Sequence, residues 1–166
     1  MCSSTTQRAF SQIPGHSVWS TTFIGLAERG GRVHLQTIEN TKALAIRPIL
    51  EAKLHPDTEK VVTDSNPVYN WTVPKEKHET HSHKDEIRDN DVIWSTRSIE
   101  TAFSLFKRGL VGSYHKMSRD HMDAYLQEFC WRFNRRHMQP WMFDVLLREV
   151  AHGKPLTYKT LTREVF

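Results

Sequence analysis

Three scarcities bound what this chain can be. Apolar runs are short. None approaches the roughly 18 to 20 residues that cross a bilayer, and no apolar signal core follows Met1. The expectation is a soluble, intracellular protein with no membrane partner, cytoplasmic in a bacterium and nuclear in a eukaryote. Cysteine is nearly absent as well: Cys2 and Cys130 form neither a CxxC pair nor a framework spacing, which argues against a disulfide or a thiolate zinc site. Both read as free thiols. The third scarcity is acid at the start, for no Asp or Glu precedes Glu28. Phosphate-cradling glycine loops, nucleophile elbows and thiol–histidine signatures are also missing, which removes the chemistries they serve.

What is present is an ordinary globular composition in 166 residues, enough for one domain with a real core. The net charge is +4, and its location says more than its size. Between positions 107 and 136, Lys107, Arg108, Lys116, Arg119, Arg132, Arg135 and Arg136 outnumber Asp120, Asp123 and Glu128 by four, so this segment carries the whole chain's excess. Such a patch attracts phosphate backbones without reading sequence. Lys107, Arg108, Arg132, Arg135 and Arg136 are the candidate DNA contacts; a solvated basic helix face is the alternative reading.

The most ordered stretch is a helix expected over residues 97 to 108. Ile99, Ala102, Phe103, Phe106 and Leu110 recur at i, i+3, i+4, i+7 and i+11, one face of a 3.6-residue helix. Ser95 or Thr96 can cap it and Gly109 suits its stop. Met122, Tyr125, Leu126, Phe129 and Phe133 repeat the pattern in a second helix expected to start at a Ser118 cap, and a third helix is expected over 141 to 150. Trp131 and Trp141 read as core.

Upstream, residues 18 to 27 and 33 to 38 read as strands joined by an Arg29-Gly30-Gly31-Arg32 hairpin turn. Thr41 then opens a helix to about residue 54, with Pro48 a kink or boundary. Residues 60 to 63 read as a short buried strand, and Ser65-Asn66-Pro67 opens a short helix or turn through Trp71. A further short strand fits near 78 to 83, before a charged stretch at 84 to 91 expected to be mobile. This order describes an α/β protein with a mixed sheet, compatible with a ribonuclease H-like core. The expected division is a disordered lead-in at 1–17, a core at 18–136, and a C-terminal helix and tail at 137–166.

Two acids stand out. Asp64 ends a short strand, where a rigid backbone opens to solvent, although a turn residue is the plainer reading. Glu100 lies on the next long helix, and the two make a workable pair of metal ligands. Lys107, seven residues beyond Glu100, projects from the same flank of the helix. His78, His81 and His83 could ligate a metal, but a polar strand surface is the plainer account.

These residues resemble a known family. Ile99-Glu100, Phe103-Ser104-Leu105, Lys107-Arg108-Gly109, Gly112, Tyr114-His115, Ser118, His121, Tyr125-Leu126, Glu128-Phe129, Arg132 and Asn134-Arg135-Arg136 look like the catalytic-helix region of ISXO-like insertion-sequence transposases. Glu28 to Val33 and Thr63-Asp64 fall where that family has its hairpin and second acid, and the resemblance spans about positions 23 to 136. It implies a ribonuclease H-like fold, a DDE-type active site, a divalent ion (Mg2+ or Mn2+) and DNA as substrate. By the same resemblance Asp64 is the second acid, Glu100 the helix acid, both metal ligands, and Lys107 the phosphate-contacting base.

There are two departures. Members commonly carry His-x-Asn just before the Ile-Glu; Ser95 and Arg97 stand here. Their first Asp lies on a strand before the hairpin, where this chain has no acid. The expectation is therefore a copy truncated before Met1, its first strand missing and a sheet edge exposed beside residues 18 to 27. Such a copy would be an incomplete or inactive transposase-type domain, or a non-catalytic or domesticated DNA-binding protein, with homo-oligomerisation open.

Overall fold

A strand buried at every position must be covered on both faces, and residues 23–27, Phe-Ile-Gly-Leu-Ala, are all buried. In the computed structural model they belong to β2 (Thr22–Glu28), which pairs antiparallel with β1 (Cys2–Arg8) on one side and β3 (Val33–Ile38) on the other. The structure describes residues 2–8, 21–28, 31–64, 66–80, 87–89, 92–94, 96–115, 117–118, 120–155 and 157, without the side chains of 2–8, 87–89 and 92–94. Beyond β1 the sheet continues in parallel through β4 (Val61–Thr63) and β5 (His78–Thr80), giving the order β3-β2-β1-β4-β5.

This order corrects two expectations. Residues 2–8 are the middle strand of the sheet rather than a disordered lead-in, so the first strand is present and β2 is no edge. The reason it escaped notice is chemical: Cys-Ser-Ser-Thr-Thr-Gln-Arg has no hydrophobic period, and only pairing with two neighbours marks it as a strand. Arg29 and Gly30 of the anticipated turn lie outside the described residues, but the β2–β3 register and the Glu28 N–H bond to the Arg32 carbonyl, 2.8 Å, close the hairpin.

Each face of β2 meets a helix. Phe23 and Ala27, with Val33 and Leu35 of β3, pack under α2 (Arg97–Gly109) and α3 (Met122–Asn134). Ile24 and Leu26 face the other way, onto Ile46 and Leu50 of α1 (Ala43–Lys53) and onto Tyr69. Tyr69 belongs to a short 3-10 turn, Pro67–Trp71, capped by the Asn66 side chain accepting from the Val68 N–H. Pro48 sits inside α1 without ending it. At Gly25 the sheet and α2 approach so closely that a Cβ there would lie 2.6 Å from both Ile99 and Phe103; only glycine admits this contact.

The helix ends differ from expectation. Thr96 precedes α2, but its hydroxyl donates to the Glu100 carboxylate at 2.7 Å instead of capping the backbone. Gly109 does not stop the helix, which widens into a π-turn at Leu110–Tyr114 and ends at His115, a non-glycine residue with φ 55°. The helix begun at Ser118 by expectation starts at Met122. Residues 87–89 and 92–94 pair as a two-stranded ribbon (β6, Ile87–Asp89, and β7, Val92–Trp94), of which only β6 falls within the stretch at 84 to 91 anticipated as mobile.

The edge strand β3 is covered by α3. Its outward N–H groups at Val33, Leu35 and Thr37 donate to Asn134 Oδ1 (2.7 Å), Cys130 Sγ (3.2 Å) and Asp123 Oδ1 (2.8 Å). The three acceptors share one helix face, so the helix substitutes for the missing neighbour strand. Burial pushes the Cys130 thiol up to about 11 from 9.0, against the opposing Leu35 hydrogen bond. The folded form thus keeps its proton where the unfolded chain loses it, so this site's stabilisation is full below pH 9 and is lost as pH rises from there through about 11. Cys130→Ser should flatten that alkaline decline in chemical denaturation.

After α3, a 3-10 stretch (Arg136–Trp141) leads into α4 (Met142–His152). Glu149 of α4 accepts from Trp131 Nε1 at 2.7 Å and pairs with Arg135 at 2.6 Å, tying the two helices together. Trp131 is half-buried in that junction, whereas Trp141, expected in the core, is 65% exposed. Among the described residues no helix is long and apolar enough to cross a membrane.

Candidate nucleic-acid site

Asp64 leaves the end of β4. Its Oδ1 accepts from the Asn66 N–H at 3.3 Å, so it shapes the turn into the 3-10 segment as well as marking the strand end. Its backbone is fixed from behind. Thr63 Oγ1 donates to the Asp64 carbonyl at 3.0 Å and lies 2.8 Å from His78 Nε2. With its single hydroxyl proton so used, Thr63 takes its second bond from His78 as the donor. Burial lowers the His78 pKa, so the ring is neutral near pH 7. This relay from β5 was not foreseen: it gives His78 a partner in Thr63, while His81 and His83 lie outside the described residues.

Glu100 stands in the first turn of α2, half-buried and held by Thr96. The sheet register relates the elements that carry the two acids. Ser4 of β1 pairs with Thr63, so Thr5 is one residue on, level with Asp64; Thr5 in turn pairs with Gly25, over which Ile99 and Phe103 of α2 pack. Asp64 thus follows the strand on one side of β1 and Glu100 lies on the helix over the strand on its other side, with β1 between those strands. That strand reads Cys-Ser-Ser-Thr-Thr-Gln-Arg. Two-ion phosphoryl transfer needs clustered hard oxygen ligands, and among the described residues no group of three or more His, Cys, Asp or Glu could hold a metal ion. The described residues by themselves do not fit a two-ion site.

The basic candidates separate by environment. Lys107 and Arg108 are exposed on the last turn of α2, about 10 Å along the helix from Glu100 at 1.5 Å per residue. Arg132 is exposed but pairs with Glu128 at 2.8 Å. The same carboxylate accepts from the Tyr114 hydroxyl at 3.2 Å, and burial, then Glu128, raises the Tyr114 pKa. Arg135 holds Glu149 and lies 4.4 Å over the Trp131 ring. Arg136 lies 4.4 Å over the Phe133 ring and donates to the Phe133 carbonyl. The segment's positive excess is thus partly matched within the fold. Asn134, named only as part of a motif, clamps β3 through Val33.

A family model described as ISXO2-like transposase domain matches residues 6–134. No curated protein matches the chain. Among solved structures, the catalytic core domain of BIV integrase is similar in fold, with a TM-score of 0.51 at 15% identity, covering 80% of this chain and 83% of that one. The ribonuclease H-like fold is thereby established.

Proposed function

The chain belongs to the ISXO2-like transposase domain family, and from that premise we propose that it is a DNA-transposition domain that binds DNA with an incomplete catalytic acid set. The family acts on DNA. The observation carrying the proposal is that β1, between the strand that leads to Asp64 and the strand packed under α2, offers only Ser, Thr, Gln, Cys and Arg side-chain types. Strand cleavage and transfer by two metal ions therefore lacks a ligand among the described residues, whether the ion is Mg2+ or Mn2+.

DNA binding does not need that ligand. Two carboxylates without a metal repel phosphates, whereas Lys107 and Arg108 at the far end of α2 attract them. Arg132 and Arg136, both exposed, are the further candidate contacts, although Arg132 is paired with Glu128. Arg135, committed to Glu149 and Trp131, serves the α3–α4 junction first.

The test uses a short duplex and fluorescence anisotropy at rising salt, beside a magnesium-dependent nicking assay. Affinity is expected to fall log-linearly with salt, and Lys107→Ala with Arg108→Ala to reduce the slope by about 2. Nicking is expected at background, indistinguishable from Glu100→Gln. Salt-independent binding would overturn the phosphate contacts. Metal-dependent nicking abolished by Glu100→Gln would overturn the incomplete acid set.

A further inference from the structure

The residues of α4 divide into three strips. Met142 and Val145 are half-buried and Glu149 bonds Trp131, so one strip faces α3. Phe143, Leu146, Leu147 and Val150 recur at i, i+3, i+4 and i+7 on a second strip, where they remain 68%, 43%, 50% and 67% exposed. Asp144 and Arg148, one turn apart on the flank next to Leu147, make the third. Both are exposed, and neither is ion-paired among the described residues. Four apolar side chains left open in one strip come to roughly 400 Å2, a patch size that on monomer surfaces is often functional.

The strip is its own complement. Turned end for end about a two-fold axis between Leu146 and Leu147, it sets Phe143 against Val150 and Leu146 against Leu147 of a second copy, so large side chains meet smaller ones twice over. The same rotation brings like flanks together. Asp144 of one copy then comes level with Arg148 of the other, within about 1.5 Å along the axis, and the two-fold repeats the pair. A parallel contact would instead set Asp144 against Asp144 and Arg148 against Arg148. The other charges on this side do not oppose the contact: Glu149 is held by Arg135 and Glu128 by Arg132. His152 turns back to the Arg148 carbonyl, and Lys154 lies past the end of α4, about two turns from the axis.

We propose that a second copy of this chain covers the strip, through an antiparallel α4–α4 contact with Phe143, Leu146, Leu147 and Val150 at its centre and two Asp144–Arg148 ion pairs along its edge. Two such patches with their flanks bury about 1,000 Å2, the low end for a specific interface. The dimer therefore forms at micromolar concentration and dissociates on dilution. It uses none of the residues proposed to contact DNA, so it stands or falls apart from that reading.

The test is sedimentation velocity of the full chain, without DNA, reduced and at low salt, over a wide micromolar range. A concentration-dependent dimer is expected. Asp144→Arg and Arg148→Asp should each raise its dissociation constant at least about tenfold, because each sets like charges together at both ends of the contact. An equimolar mixture of the two variants should regain the wild-type value within about threefold, since the mixed pair restores both attractions. Leu147→Gln, at another exposed position, should weaken the dimer as well. A monomer at every concentration, as when another part of the chain covers the strip, would overturn the proposal. So would a dimer that neither charge variant weakens, an unchanged constant in Leu147→Gln, or a mixture that stays monomeric while each variant keeps the wild-type circular-dichroism spectrum.

Discussion

Phe103→Ala should lower the free energy of unfolding by about 3–5 kcal/mol, a large part of the roughly 5–15 kcal/mol that holds an ordinary domain together. The ring is 1% exposed, sits 5.3 Å from the Phe23 ring and lies against Gly25. Its loss removes transfer energy and also leaves a cavity that cannot close. The strand below is pinned by pairing on both sides, and Phe106 is already engaged edge-on with Phe23 and Phe129. Phe103→Leu, keeping most of the volume, should cost far less. Urea denaturation at constant m-value would separate the two; equal, small losses for both would mean that α2 does not depend on this contact.

That site also shows what could be read from the chain alone. The 3.6 period of Ile99, Ala102, Phe103 and Phe106 identified α2 because its buried face repeats and its exposed face is charged. The second period identified α3 for the same reason. Nothing comparable marks β1, whose polar residues reveal no face, and its central place follows only from pairing with β2 and β4. Helix ends were likewise illegible: Gly109 continues the helix with φ −60°, and the backbone turns instead at His115. Asp64 and Glu100 could be named as acids at suitable positions, but which strands separate their elements follows from long-range pairing. The basic residues illustrate the converse. Charge counting cannot see that Arg135 belongs to Glu149, fourteen residues away.

Asn134→Ala is expected to cost about 2 kcal/mol, since it strips partners from two backbone groups at once. The side chain accepts from the Val33 N–H at 2.7 Å and donates to the Val33 carbonyl at 2.9 Å. Both bonds close the edge of β3 where the next strand would otherwise pair. Asn134→Asp discriminates this account from simple packing: it keeps shape and the acceptor for Val33 N–H, but sets a lone pair against the Val33 carbonyl. It should therefore rescue little, whereas a packing role predicts near-complete rescue. The edge has a second readout. Opening it exposes N–H and C=O groups to other chains, so Asn134→Ala should raise concentration-dependent light scattering well below its unfolding midpoint. Asp123→Asn, whose Oδ1 still accepts from the Thr37 N–H while its Nδ2 can donate to the Thr37 hydroxyl oxygen in place of the bond it loses, should not. Scattering that rises equally in both variants would place the protection of this edge elsewhere than in the α3 side chains.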